Sequence, residues 1–301
     1  MPEELDDAGT AATANLLTST HTRRSMLLKA GAASGGLAVA GGLFGALKAE
    51  AAQSILSEPP EVTPYLTIFT VAQSAEQLAI TLYRNGVANA SKLGLSAQEL
   101  NYFKAAGIEE QIHQKFFAGI TGVAVQRAAT HFSFPHGHDT FTNLELFITA
   151  QQQLEGVFDT AFLAAVRELS HLGAHRAAQI AAQIATVESE HRVLGVQVAQ
   201  AHGIKELPNT HDSLPTSDPN PLDKASMVPT DPPDIMAFTP VFVDAVPDAV
   251  KLAKAAGYLS PRTGNDFEYE AINFNDPIYA PVAAKILFTQ PYIQLGGVPG
   301  A

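Results

Sequence analysis

The sequence predicts an all-α protein: a four-helix bundle with a long crossover between helices two and three and an irregular C-terminal extension. Three observations lead there. Four windows between residues 63 and 203 repeat apolar residues at steps of three and four, the period of a helix with one buried face. Two tight turns and one long connection separate those windows, the pattern of two helix hairpins joined across a bundle. Each window also carries a glutamate inside its apolar stripe, and the four glutamates pair up at mirror-related distances from the turns.

The first helix is expected to open after Thr63-Pro64, where the missing N–H of proline costs nothing, and to end at Asn85-Gly86 and the Ser91–Gly94 region. Its inward stripe reads Phe69, Ala72, Glu76, Ala79 and Tyr83. Ser96 with Glu99 forms a capping box for the second helix, whose stripe is Leu100, Phe103, Ala106, Glu110, His113 and Phe117. The stretch from Gly119 to Phe141 is too long for a hairpin loop and long enough to cross the bundle end to end. Thr142 and Glu145 make a second capping box, opening a helix with Leu144, Ile148, Gln151, Glu155, Phe158, Phe162 and Ala165 inward. After a turn at residues 170–174 the fourth helix turns Ala177, Ile180, Ile184, Glu188, His191, Gly195 and Val198 inward and stops at His202-Gly203.

The flanks read differently. Thr22-Arg23-Arg24-Ser25-Met26-Leu27-Leu28-Lys29, a mildly apolar stretch from Ala30 to Leu47 and the small-residue site Ala49-Glu50-Ala51 resemble a twin-arginine export signal over residues 1–51. Glycines at 31, 35, 36, 41 and 42 argue against a retained membrane anchor, so a periplasmic or extracellular location is expected. Residues 52–62 form a linker. Residues 204–301 form a Pro/Asp-rich wrapping segment, with a short helix around Pro247–Tyr258 and an apolar run around Pro281–Phe288 packing back onto the bundle.

Composition narrows the function. The chain has 301 residues, 46% hydrophobic and 16% charged, which suits a folded domain with a large core. A net charge of -12 argues against nucleic-acid binding, which needs clustered lysine and arginine. With no cysteine, any metal must be held by nitrogen and oxygen, which favours iron, manganese or zinc.

The candidate ligands are Glu76, Glu110 with His113, Glu155, and Glu188 with His191. Glu and His at i and i+3 share a helix face, so each Glu-x-x-His pair can reach one site. Spacing alone is weak evidence, because Glu168 and His171 repeat it near the end of the third helix, where we read it as accidental. Register is stronger. The midpoint of Glu76 and Glu110 is position 93 and that of Glu155 and Glu188 falls between 171 and 172, each inside a predicted turn. Four buried carboxylates can ionise together only if cations neutralise them, and two divalent ions do so. Neutral imidazoles from His113 and His191 then give each ion one nitrogen.

On these residues the chain from Thr63 to Gly203 resembles the ferritin-like domains of the secreted, desiccation- and stress-related family. The resemblance implies all six as ligands of two iron or manganese ions, with Glu110 and Glu155 as the bridges. It implies partners among metal ions, oxygen and peroxide, in a monomer or small oligomer. The long tail after Gly203 departs from cage-forming ferritins. Two readings stay open: a redox-active di-metal oxidoreductase, ferroxidase-like or manganese-catalase-like, and a stress-protective protein whose site is structural or idle.

Other residues carry lesser expectations. Gln151 and Asp159 flank Glu155 by one turn and are read equally as supporting the ligands or as ordinary boundary polar groups. Tyr83 reads as a core tyrosine before a proton or electron relay, and Glu109 as pointing to solvent. His131, His136 and His138 read as part of a loop capping the bundle with Phe132 and Phe134, in preference to a second metal site.

Overall fold

The computed structural model describes residues 62–121, 128–204 and 243–286; the export-signal reading, the linker up to residue 61 and the 208–240 stretch lie outside them. Four long helices make the bundle: α1 Tyr65–Ala88, α3 Ala97–Thr121, α4 Leu144–His171 and α5 His175–Ala201, with a one-turn α2 at Ala90–Leu93. The tail adds α6 Val246–Ala255 and α7 Ala280–Ala283, and a two-stranded antiparallel ribbon pairs β1 His131–Phe132 with β2 Phe267–Glu268. The fold is all-α apart from that ribbon. α1 packs chiefly on α3 and α4 on α5, forming the two hairpins; α1 against α4 then joins them.

The helix ends show what the sequence dictates locally. Ser96 and Glu99 form the reciprocal box: Ser96 N–H donates to Glu99 at 2.7 Å and Glu99 N–H to the Ser96 hydroxyl at 3.3 Å. At α4 the cap is one residue later than expected. Asn143 Oδ1 accepts from Leu146 N–H at 3.3 Å, while the Thr142 hydroxyl is turned back onto the Asp139 carbonyl. α1 runs through Asn85-Gly86 to Ala88, because Gly86 is a contact position and does not stop the helix. A Cβ there would lie 2.5 Å from the Phe147 ring, so glycine lets α4 approach. Gly203, by contrast, ends α5 in the left-handed region at φ 70°.

The predicted inward stripes are buried along all four helices, with Leu100, Leu144 and Ala177 at the ends only half-buried. Beyond the bundle, the crossover and tail lock together. Phe132 and Phe134 are buried, and Asn265 mimics a strand by donating to and accepting from the Phe134 backbone, at 2.8 and 3.0 Å. His131 sits at the surface on Asp266, 2.9 Å away, and His138 lies against Phe267, so these histidines belong to the cap over Phe134.

Glu168, whose Glu-x-x-His spacing to His171 is read as accidental, has a structural role of its own. It is 2% exposed and accepts Thr63 N–H at 2.9 Å and Val246 N–H at 3.0 Å, tying the chain entering α1 and the first turn of α6 to α4. Hydrogen bonds to a charged group contribute about 1.5–3 kcal/mol, and two backbone donors lose their partner together. Glu168→Ala is therefore expected to cost about 3–5 kcal/mol in a denaturant melt. An unchanged midpoint would show that α6 docks by its apolar face alone.

Candidate metal centre

Glu76 is carried by α1, Glu110 and His113 by α3, Glu155 by α4, and Glu188 and His191 by α5, each in the middle of its helix. Sequence register places them at one height, since the chain turns near position 93 in α2 and at Leu172–Ala174. All six are brought together and none exceeds 2% exposure.

They form two overlapping quartets, Glu76, Glu110, His113, Glu188 and Glu110, Glu155, Glu188, His191, whose ligand atoms lie within 4.8 Å of one another. Glu110 and Glu188 occur in both. The shared pair is thus the two glutamates of the Glu-x-x-His motifs, one from α3 and one from α5; Glu155 serves one quartet only, which corrects the expected bridge. Both histidines turn Nδ1 inward. His113 Nδ1 lies 3.3 Å from Glu110, 3.5 Å from Glu76 and 3.8 Å from Glu188. His191 Nδ1 lies 2.9 Å from Glu110, 3.6 Å from Glu155 and 3.7 Å from Glu188.

Proximity here is not pairing. Glu76 Oε1, both oxygens of Glu110 and of Glu188, Glu155 Oε2 and His191 Nδ1 are buried without a hydrogen-bond partner. Such atoms normally find partners, and leaving several converging acceptors unmet is costly. A first-row cation about 2.1 Å from each donor answers the deficit, since its ligand atoms lie within about 4.2 Å of one another. The quartets need contract only slightly, and the all-oxygen-and-imidazole donor set suits iron or manganese. The residues fit a pair of divalent ions.

Electrostatics say the same. Burial, together with the neighbouring charges of Glu110, Glu188 and Glu155, pushes the Glu76 carboxyl well above the usual range, and burial with Glu110 and Glu155 does so for Glu188. Burial opposes ionisation of Glu110 as well, yet the polar groups crowding it from Glu76, His113 and His191 hold it well below that range. Burial would lower His191; the facing Tyr83, Glu155 and Glu109 outweigh it and push its pKa up. Without cations, protons must hold this cluster together.

Around the quartets Tyr83 and Glu109 depart from what the sequence suggests, and Gln151 takes the supporting one of its two readings. Tyr83 belongs to the site: its hydroxyl donates to Glu155 Oε1, and its ring meets His191 edge-on at 5.7 Å. Glu109 is half-buried, and its Oε2 lies 3.0 Å from His191 Nε2. Gln151 reaches past the ligands to the α5 backbone, donating to the His191 carbonyl at 2.5 Å; Gln152 beside it donates to the Arg192 carbonyl at 2.8 Å. Gly195 makes that reach possible, because a Cβ there would sit 1.9 Å from Gln151 Oε1. Asp159 accepts a long hydrogen bond, 3.4 Å, from Ser189, whose neighbour is Glu188. Among the described residues no helix is long and apolar enough to cross a membrane.

Comparison with curated proteins and with solved structures finds no match. The family model described as a ferritin-like domain matches residues 65–199, from the first residue of α1 into the last turn of α5. That match, lying on an all-α bundle with a buried Glu/His cluster at its centre, supports the ferritin-like superfamily for this part of the chain.

Proposed function

We propose that this is an exported protein holding a dinuclear iron or manganese centre through Glu76, Glu110, His113, Glu155, Glu188 and His191. Its work on this reading is oxygen or peroxide chemistry, or metal handling under stress. One observation carries it: two buried quartets share Glu110 and Glu188 and present carboxylate oxygens with no hydrogen-bond donor. Export rests on the twin-arginine segment at Thr22–Lys29.

Iron or manganese in such a site supplies one-electron redox chemistry toward oxygen and peroxide. The chain supplies the rest. Glu110 and Glu188, which belong to both quartets, would be the carboxylates available to either ion. Tyr83 holds a proton on its hydroxyl against Glu155 Oε1, which orients that carboxylate and keeps a proton beside the site. The bundle core excludes bulk water, so charges within the site are screened little.

The test is oxygen consumption with ferrous iron, or peroxide loss with the manganese form, by the mature protein beside Glu110→Ala. Removing a supporting residue from a metal site typically costs about 10–100-fold, so loss of a shared carboxylate is expected to cut the rate by at least about 100-fold. Equal rates, or rates no higher than free metal, would favour the stress-protective reading with an idle site.

A further inference from the structure

At one of the two ion positions a carboxylate stands directly behind the histidine. His191 has its inner nitrogen among Glu110, Glu155 and Glu188 and its outer nitrogen on Glu109, 3.0 Å away. Glu109 is one residue before a shared ligand, so α3 turns it about 100° from Glu110, toward α5 and the bundle surface. Its side chain is 38% exposed, whereas every residue of the two quartets is at most 2% exposed.

We propose that Glu109 is a positioning residue that makes His191 a ligand, and so governs one of the two ion positions without the other. This rests on the dinuclear reading above. A neutral imidazole has one N–H and one lone pair, and the hydrogen bond made by one nitrogen decides which role the other plays. A carboxylate only accepts, so Glu109 assigns the N–H of His191 to Nε2 and leaves the Nδ1 lone pair pointing at the quartet. Backbone and ring contacts help without deciding the tautomer. Gln151 grips the His191 carbonyl, and Tyr83 bounds the ring edge. The quartet of Glu76, Glu110, His113 and Glu188 contains neither His191 nor any atom that Glu109 touches in the described contacts.

The test uses cobalt(II), whose visible absorption reports nitrogen and oxygen ligation, titrated into metal-free mature protein, wild type beside Glu109→Leu and Glu109→Gln. Wild type is expected to take two ions. Glu109→Leu removes the acceptor while keeping bulk, and one ion should weaken by about 10–100-fold with the other unchanged. Glu109→Gln keeps an accepting oxygen and should lie within about threefold of wild type for both ions. Circular dichroism of the metal-free forms checks that all three fold alike. Equal weakening of both ions in Glu109→Leu, or no weakening, overturns the assignment while leaving the dinuclear reading intact. Wild type that binds no cobalt overturns both.

Discussion

Gly195→Ala is expected to destabilise this protein by about 2–4 kcal/mol, although the same change in an open helix gains about 1 kcal/mol from propensity. The sign reverses because the new Cβ has no room. It would stand 1.9 Å from Gln151 Oε1 and 2.6 Å from Gln152 Nε2, distances at which something must move. Moving the glutamines breaks their bonds to the His191 and Arg192 carbonyls, each contributing about 1 kcal/mol. It also loosens the backbone that carries a ligand, so metal affinity should fall together with stability. For a domain of this size the melting temperature should drop by roughly 5–15 °C. A melting temperature equal to or above wild type would mean that α4 and α5 are held apart more loosely than these contacts require.

Stripping metal is expected to have the largest effect of all, and one that grows as pH rises. Each ion bound only by the native state adds about 4 kcal/mol at a thousandfold excess over its dissociation constant, so two add about 8 kcal/mol. The pH dependence follows from the cluster. Glu76 and Glu188 have folded-state pKa values raised above the unfolded ones, so their contribution is complete below about pH 4.3 and is lost as pH rises through the folded values. His191 is raised too, and its contribution is likewise lost on the alkaline side, beginning at about pH 6.5. Glu110 runs the other way, being lowered, and holds its contribution above the ordinary carboxylate range. Above pH 5 the Glu110 contribution is constant, so the other three leave the metal-free protein weakening from pH 5 toward pH 8. Ions replace those protons, so the gap between loaded and stripped melting temperatures should widen over the same interval. A gap that is constant or narrows with pH would show that the carboxylates are not what the ions bind.

Much of this was legible in the sequence because helices write their geometry as period and register. The stripes through Glu76, Glu110, Glu155 and Glu188 needed only the 3.6-residue repeat, and the turns near positions 93 and 172 set the heights. Ser96-Glu99 was readable because both halves of a capping box lie within four residues. What escaped depends on neighbours distant in sequence. Asn85-Gly86 looks like a stop until Phe147 is seen to press on Gly86. Glu109 looks solvent-facing on α3 alone, but α5 brings His191 within its reach. Glu168 resembles a stray ligand until the backbones of Thr63 and Val246 arrive as donors. The shared role of Glu188 was also hidden, because which carboxylates lie between two histidines depends on how the hairpins pack together, which a midpoint does not encode. Thr142, whose spacing to Glu145 mimics a capping box, lost to Asn143 by one residue, a margin below the resolution of motif reading.

The central claim is that six side chains on four helices hold two ions. Its most direct test is elemental analysis of the protein after loading with iron or manganese and removal of loosely bound metal, together with Glu110→Ala treated alike. The arrangement predicts two ions per chain in the wild type and fewer than one in the variant, since Glu110 belongs to both quartets. Fewer than one ion per wild-type chain, or an undiminished two in Glu110→Ala, would contradict it.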